Sequence, residues 1–235
     1  MILGVVIGNT NIKIGYIEND QVISYSYKND SYDFSDIKHL NPTRILLASV
    51  VPNMIVPVSG FLRMIFGIPT DIVRKEDIPI NLEKYDTSNI GIDRVLSSYG
   101  VSLISGSFAV FDLGTAISIS VVDKNNYFLG GAILPGAEMG LDALGSGTAL
   151  LPTLDISFVD KANVIGVDTK ECLASGAIYG TVSIIEGMVK RIEKELNEKI
   201  EVVLTGGFAP YVVDHLDIKF DYRPNITLEG LLKIK

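Results

Sequence analysis

Two periodicities alternate along the chain. Residues 2–7, 12–17 and 21–27 are short apolar or alternating runs joined by tight polar connections, Glu18-Asn19-Asp20 among them, and predict an antiparallel meander of three strands. A polar stretch from Lys28 to Asn41 follows, with a helix expected around Ser35 to His39. Arg44 to Val51 is β-branched and aliphatic, the mark of a buried strand, and Pro52 stops it. Pro57 to Phe66 has apolar spacing suited to a helix, Thr70 to Val73 reads as a further strand, and residues 79–90 show no period and read as a loop. Gly91-Ile92-Asp93-Arg94-Val95-Leu96 then opens an amphipathic helix expected to run to about Ser105.

The second half restarts the same pattern. Val110-Phe111-Asp112-Leu113-Gly114-Thr115-Ala116 leads into the alternating run Ile117 to Val122, a strand–glycine–hydroxyl–strand hairpin. A fainter copy stands at the beginning, Val5-Val6-Ile7-Gly8-Asn9-Thr10-Asn11 followed by Ile12 to Ile17. Laying Gly8 on Gly114 sets Ile7 on Leu113 and Val6 on Asp112, so the chain reads as two related halves, although glycine and threonine are common enough for a chance match. Asn125-Asn126 marks a turn, and Tyr127 to Pro135 brings the chain back. Gly130-Gly131 to Gly136 and Gly145 to Ala149 are dense in small residues and read either as loops or as backbone packed closely on a ligand or a second subunit. Met139, Leu141 and Leu144 between them predict a helix. Thr169 to Glu198 is the longest helical pattern, Glu201 to Thr205 a buried strand ending in Gly206-Gly207, and Ile226 to Lys235 one short closing helix. The order β-β-β-α-β-α-β in the first half is that of an actin-like or ribonuclease-H-like nucleotide-binding unit. The expected fold is therefore α/β, a duplicated actin-like fold of two mixed sheets with flanking helices and a nucleotide cleft between domains. The domains are expected at 1–106 and 107–235, with the last helix packing back on the first.

Composition narrows the function. Of 235 residues, 47% are hydrophobic and 20% charged, which suits a packed globule rather than a disordered chain. A net charge of −8 argues against a nucleic-acid surface and means that a polyphosphate must be met by local donors and cations. No apolar run is expected to span a bilayer, and the start Met-Ile-Leu-Gly lacks the basic head of a signal peptide. The single Cys172 suits a reducing cytoplasm, and with His39 and His215 it reads as structural, too scattered for a zinc site.

The chemistry these residues suit is phosphoryl transfer, which asks for a held γ-phosphoryl group, neutralised charge and an oriented hydroxyl whose proton is accepted. Gly8-Asn9-Thr10 and Gly114-Thr115 supply backbone and hydroxyl donors. Lys13 is the cation near the first turn, or else a solvated strand residue. Asp112 is the candidate cation ligand. Asp93 beside Arg94 pairs a base with a guanidinium that can take a carboxylate in bidentate fashion. An acid in a first helical turn also has a plainer role at the positive end of the macrodipole.

Taken in order, Gly8 to Asn11, Ser49 to Pro52, Gly91 to Arg94, Asp112 to Ala116, Gly131 to Gly136, Thr148 to Pro152, Thr205 to Gly207 and Arg223 to Leu231 closely resemble the type III pantothenate kinases. The resemblance implies an acetate-and-sugar-kinase/actin-like fold and ATP-dependent phosphorylation of pantothenate, the first step of coenzyme A synthesis. It also implies a homodimer, a divalent ion such as Mg²⁺, and a monovalent cation, K⁺ or NH₄⁺. Nucleic acid and membrane are not among the implied partners. Carried over by position, Asp93 matches the proton acceptor, and Tyr85, Gly91, Ile92, Arg94 and Thr169 match pantothenate contacts. Asp112 matches the monovalent-cation ligand. Thr115, Gly206, Gly207 and the turn Val6, Ile7, Gly8, Asn9, Thr10, Asn11, Ile12 and Lys13 match ATP contacts. One departure stands out: the family usually has Asp where this chain has Val6, and a valine holds neither a metal ion nor its water. An acid acting through metal-bound water would cost roughly 10–100-fold when lost. The runner-up reading is accordingly a weakened or silent nucleotide- or pantothenate-binding relative, and a third is a ligand-free dimerisation module.

Overall fold

The computed structural model describes residues 1–102 and 106–234. The last residues of the helix expected to reach Ser105, and Lys235 of the closing helix, lie outside the described residues. The chain forms two compact units. One comprises Met1–Ser105, Asn126–Phe128 and Asn225–Lys235, the other Gly106–Asn125 and Leu129–Pro224.

The first unit is built on a five-stranded sheet. β1 (Ile2–Ile7), β2 (Asn11–Glu18) and β3 (Gln21–Lys28) form the expected meander, and β4 (Arg44–Ser49) and β5 (Thr70–Ile72) add in parallel on the other side of β1. The order is β3-β2-β1-β4-β5. α1 (Pro52–Phe66) crosses from β4 to β5 and begins five residues before the expected Pro57, because Pro52 that ends the strand also opens the helix. A proline there has a preset φ, and its missing N–H is one the first turn would leave unbonded anyway. Pro57 sits inside the helix on its exposed side. Around Ser35 the structure has a single 3₁₀ turn, Ser35–Ile37, rather than the expected helix to His39, too short a polar segment to sustain more. Leu3, Val5, Ile7, Ile12 and Ile14 fill the core on one face together with Val58 and Leu62 of α1.

The opposite face takes two helices, α2 (Ile92–Val101) and α5 (Ile226–Leu232), which approach closely at a glycine of each. A methyl added at Gly100 would lie 2.5 Å from the Ile226 carbonyl oxygen, and one at Gly230 would run into the carbonyl of Leu96. Gly4 and Gly15 of the sheet likewise leave room for Leu232 and Leu228, each reaching to 3.1 Å of the missing methyl.

The second unit repeats the scheme. β6 (Phe108–Leu113) pairs antiparallel with β7 (Ala116–Val122) and parallel with β9 (Glu201–Thr205), and β8 (Phe128–Pro135) and the short β10 (Asp221–Tyr222) complete the order β10-β9-β6-β7-β8. Renumbered from its own first strand, this is the order of the first sheet. α3 (Ala137–Gly147) and α4 (Thr169–Leu196) lie between β8 and β9. The 28-residue α4 contains a window of mean hydropathy 1.4, apolar and long enough by composition to cross a bilayer, against the expectation that no run would qualify. Its apolar positions Leu173, Ile178, Val182, Ile185 and Val189 are buried in the core of this unit, which accounts for the composition.

Candidate active site

At the end of β1 the chain turns through Gly8-Asn9-Thr10 into β2. The Gly8 N–H donates to the Asn11 carbonyl at 2.9 Å, and Asn9, Thr10 and Asn11 are exposed. Val6, Ile7 and Ile12 are buried strand residues, so any part they take in holding a ligand falls to their backbone. Lys13 stands directly across the ladder from Val6. Val6 shares a sheet face with Gly4, whose missing side chain admits Leu232 and Leu228, and so faces the side that α2 and α5 cover.

α2 starts at the same end of this sheet. Gly91 caps it in extended conformation, and Val50, whose N–H donates to the Ile7 carbonyl at 3.0 Å, packs 3.6 Å from where a Gly91 side chain would begin. The Asp93 carboxylate folds back over Gly91 and accepts the Arg94 N–H at 2.9 Å, a donor of the first helical turn that it shares with the Gly91 carbonyl at 3.2 Å. Asp93 is half-buried. Burial pushes its carboxyl above the ordinary aspartate range, against the pull of the Arg94 N–H and guanidinium charge. A carboxylate raised in this way is a stronger proton acceptor than a solvated one and stays partly open to a reactant.

Arg94 is only 8% exposed, unusual for a guanidinium. Its head lies 5.4 Å from the Phe128 ring centroid and 5.9 Å from that of Tyr85, within cation–π range of both. Nη1 donates to the Tyr85 hydroxyl at 3.4 Å, and the two rings meet edge to face at 5.1 Å. The segment carrying Tyr85 is tied down at both ends. Asn81 exchanges backbone hydrogen bonds with Asn126 and Phe128 at 3.1 and 2.8 Å, and the Lys75 ammonium donates to the Thr87 carbonyl. Sequence reasoning missed Phe128. An aromatic two residues beyond the Asn-Asn turn was its only trace, and the pairing with Asn81 that carries it to Arg94 spans 47 positions. Ile92 lies half-buried in the first turn of α2 between Gly91 and Asp93.

In the second unit, Asp112 occupies the place in β6 that Val6 occupies in β1, second from the end, opposite Ser118 and Thr205. It is half-buried, and Thr115 in the turn is exposed. The turn is braced from two directions. Gly136 donates to the Thr115 carbonyl at 3.1 Å, and a methyl on it would strike the Gly114 and Thr115 carbonyls. Gly206, at φ +96°, lies so close to Leu113 that no side chain fits. Its glycine thus serves close backbone approach, whereas Gly207 is exposed and faces open space. Thr169 is the exposed first residue of α4, after Asp168, whose side chain caps the helix through the Glu171 N–H at 2.9 Å. A small cavity lined by Leu154, Phe158, Asp168, Glu171 and Ala174 lies beside it. Among the described residues no group of three or more His, Cys, Asp or Glu side chains is gathered for a metal ion. The structure thus assembles Tyr85, Gly91, Asp93 and Arg94 at the end of the first sheet that bears the Gly8 turn, and Asp112, Thr115 and Gly206 at one end of the second.

Residues 2–191 match the sequence pattern of the family Type III pantothenate kinase. The chain belongs to that family. It is similar over its whole length to a type III pantothenate kinase from Persephonella marina, 33% identical over 251 residues and covering 98% of that protein. It is also similar to one from Fusobacterium nucleatum, 32% identical, with 98% of this chain and 97% of the relative aligned. In fold it is similar to the crystal structure of a putative 2-dehydro-3-deoxygalactonokinase from Sinorhizobium meliloti, with a TM-score of 0.52 at 10% identity over 98% of this chain and 94% of the other. The repeated strand order with helices on both units is the duplicated actin-like architecture expected from the sequence.

Proposed function

We propose that this type III pantothenate kinase homologue transfers the γ-phosphoryl group of ATP to the primary hydroxyl of pantothenate, giving 4′-phosphopantothenate, the first step of coenzyme A synthesis. The observation that carries the reading is the Asp93 carboxylate: half-buried, raised in pKa by that burial, and at the sheet end where β1 turns. Asp93 accepts the hydroxyl proton as the oxygen attacks. The negative charge of the proton acceptor is tolerated at the start of α2, where the helix dipole and the Arg94 N–H favour an anion. Arg94, held by Tyr85 and Phe128, offers its guanidinium to the pantothenate carboxylate, with Tyr85, Gly91, Ile92 and Thr169 as further contacts. Because the two rings and the surrounding backbone fix the arginine, little side-chain freedom is lost when substrate arrives. The backbone from Val6 to Lys13, with Thr115, Gly206 and Gly207, takes the nucleotide.

A hard cation fits Asp112, whose donor atoms are carboxylate oxygens. With no group of three or more such ligands gathered among the described residues, a divalent ion would draw its remaining ligands from phosphate oxygens and water, as magnesium commonly does, and a monovalent ion needs no more charge than one carboxylate. Such ions supply charge neutralisation for the phosphates. A homodimer accounts for the second unit's surface, where Leu150, Ile165 and Val167 are 92%, 81% and 85% exposed, a cost a second copy would remove. The lone cysteine suits a cytoplasmic setting. Retention of Asp93, Arg94 and Asp112 speaks against a relative that has lost catalysis.

A coupled nucleotide-release assay tests the proposal. ADP formation is expected to require pantothenate and Mg²⁺ and to rise with potassium. Nucleotide release indifferent to pantothenate would refute it.

A further inference from the structure

Asn29, the residue after β3, makes an unusual set of bonds. Its side-chain Nδ2 donates to the carbonyls of both Gly8 and Asn9, each at 2.9 Å, and its backbone N–H donates to the Thr10 carbonyl at 3.1 Å. All three carbonyls of the first turn therefore point at one residue. In a planar trans peptide the N–H lies opposite the carbonyl, and among the described residues no peptide bond is cis. The N–H groups of Asn9, Thr10 and Asn11 are consequently aimed away from Asn29, and all three residues are exposed. Successive N–H groups turned the same way form a concavity suited to an anion.

The amide cannot be reversed, because only its nitrogen can donate to two carbonyls. Its oxygen is buried without a hydrogen-bond partner. A buried acceptor left unpaired is unfavourable, so the residue is placed for its two donations and not for its own satisfaction.

We propose that Asn29 is a positioning residue for nucleotide binding: it holds the Gly8–Thr10 turn with its N–H groups presented to the phosphate oxygens of ATP. The inference rests on the reading that this turn contacts ATP, and the test separates the two. Steady-state constants and melting temperatures are measured for the parent, Asn29→Ala, Asn29→Ser and Thr10→Val, with ATP–Mg²⁺ and pantothenate varied in turn. The expected result for Asn29→Ala is a KM for ATP raised about tenfold, the scale of one or two lost hydrogen bonds. The KM for pantothenate should stay within about twofold, and Thr10→Val should also raise the KM for ATP. Asn29→Ser reaches at most one of the two carbonyls; it should fall between, and it replaces the alanine variant if that one does not fold. If Thr10→Val weakens ATP and the Asn29 variants do not, the positioning role is wrong and the reading of the turn stands. A uniform loss in both KM values tracking a lower melting temperature would make Asn29 structural only. If neither Thr10→Val nor the Asn29 variants raise the KM for ATP, the reading of the turn fails and the role of Asn29 with it.

Discussion

Gly91→Ala is the sharpest test of Asp93. Gly91 has φ −67° and ψ 133°, a conformation open to alanine, so the substitution strains no backbone. The added methyl would overlap the Asp93 Oδ1, while Val50 at 3.6 Å is at ordinary contact distance. Only the carboxylate has to move, and moving it gives up the 2.9 Å bond from the Arg94 N–H. One lost hydrogen bond costs about 1 kcal/mol. Removing glycine's freedom from the unfolded chain returns about 0.4–1 kcal/mol, so stability should barely change, with Tm within about 2–4 °C of the parent. Activity should change far more. A reacting group misplaced by about 1 Å loses on the order of 10²-fold. The expectation is therefore kcat lowered by about 10–100-fold, with the KM for ATP within a few fold, read in the coupled ADP assay beside a melting curve. Unchanged kcat in a variant that melts like the parent would mean that the carboxylate does not act from this position. A large fall in Tm would show instead that the backbone had yielded, contrary to the reasoning.

Three further outcomes follow from particular contacts. Asp93→Asn should lower kcat by roughly 10²–10⁴-fold while ATP still raises the melting temperature. Because burial raises this carboxyl's pKa, the folded chain binds the proton more tightly than the unfolded one. Its contribution to stability therefore falls as pH rises from the ordinary aspartate value through the raised one and stays low at neutral pH. The asparagine variant should thus melt no lower than the parent at pH 7, and a clear drop there counts against the burial argument. Gly230→Ala forces a methyl onto the Leu96 carbonyl and should cost about 1–3 kcal/mol by denaturant melting, whereas Gly60→Ala in α1, with nothing within 4 Å, should gain about 0.5–1 kcal/mol. Equal effects at the two glycines would contradict the helix contact. Val6→Asp should raise activity or relax the magnesium requirement, and equal or lower rates across a magnesium titration would show that the valine is not a deficit.

What the sequence disclosed and what it hid divide along physical lines. The strands of both sheets were legible because alternation and β-branched runs are local, and the two glycine turns because few residues make such a bend. The start of α1 was misplaced because one proline served two purposes, ending β4 and opening the helix. The 3₁₀ turns and the two-residue β10 carry too few side chains to leave a period. Asp93 and Arg94 stood out as residue types, but the reason for Gly91 did not: its missing methyl is the space the Asp93 carboxylate occupies. Phe128 and Asn29 were invisible for another reason. Each acts on residues 19 or more positions away, and an asparagine closing three carbonyls looks in sequence like any polar residue after a strand.

The repeated topology turns Val6 from a local oddity into a question of charge. Val6 and Asp112 stand second from the end of equivalent central strands, one opposite Lys13 and the other opposite Ser118. An acid at position 6 would face Lys13 across the ladder, and cross-strand pairs of opposite charge are worth roughly 0.2–1 kcal/mol. Valine removes that counter-charge and leaves the neighbourhood of the Gly8 turn more positive by one unit, in a chain whose net charge is −8. The same change therefore acts on two ligands in opposite directions: it favours the phosphate anion and gives up an oxygen for a metal ion or its water. Restoring the acid should tighten the hold on magnesium-bound nucleotide, so that less magnesium is needed, while weakening the hold on nucleotide without metal. Those two affinities, measured by titration with and without magnesium, separate a compensated exchange from a simple loss. If both fall together, burying a carboxylate at a position 7% exposed has disrupted the strand, and the charge argument fails with it.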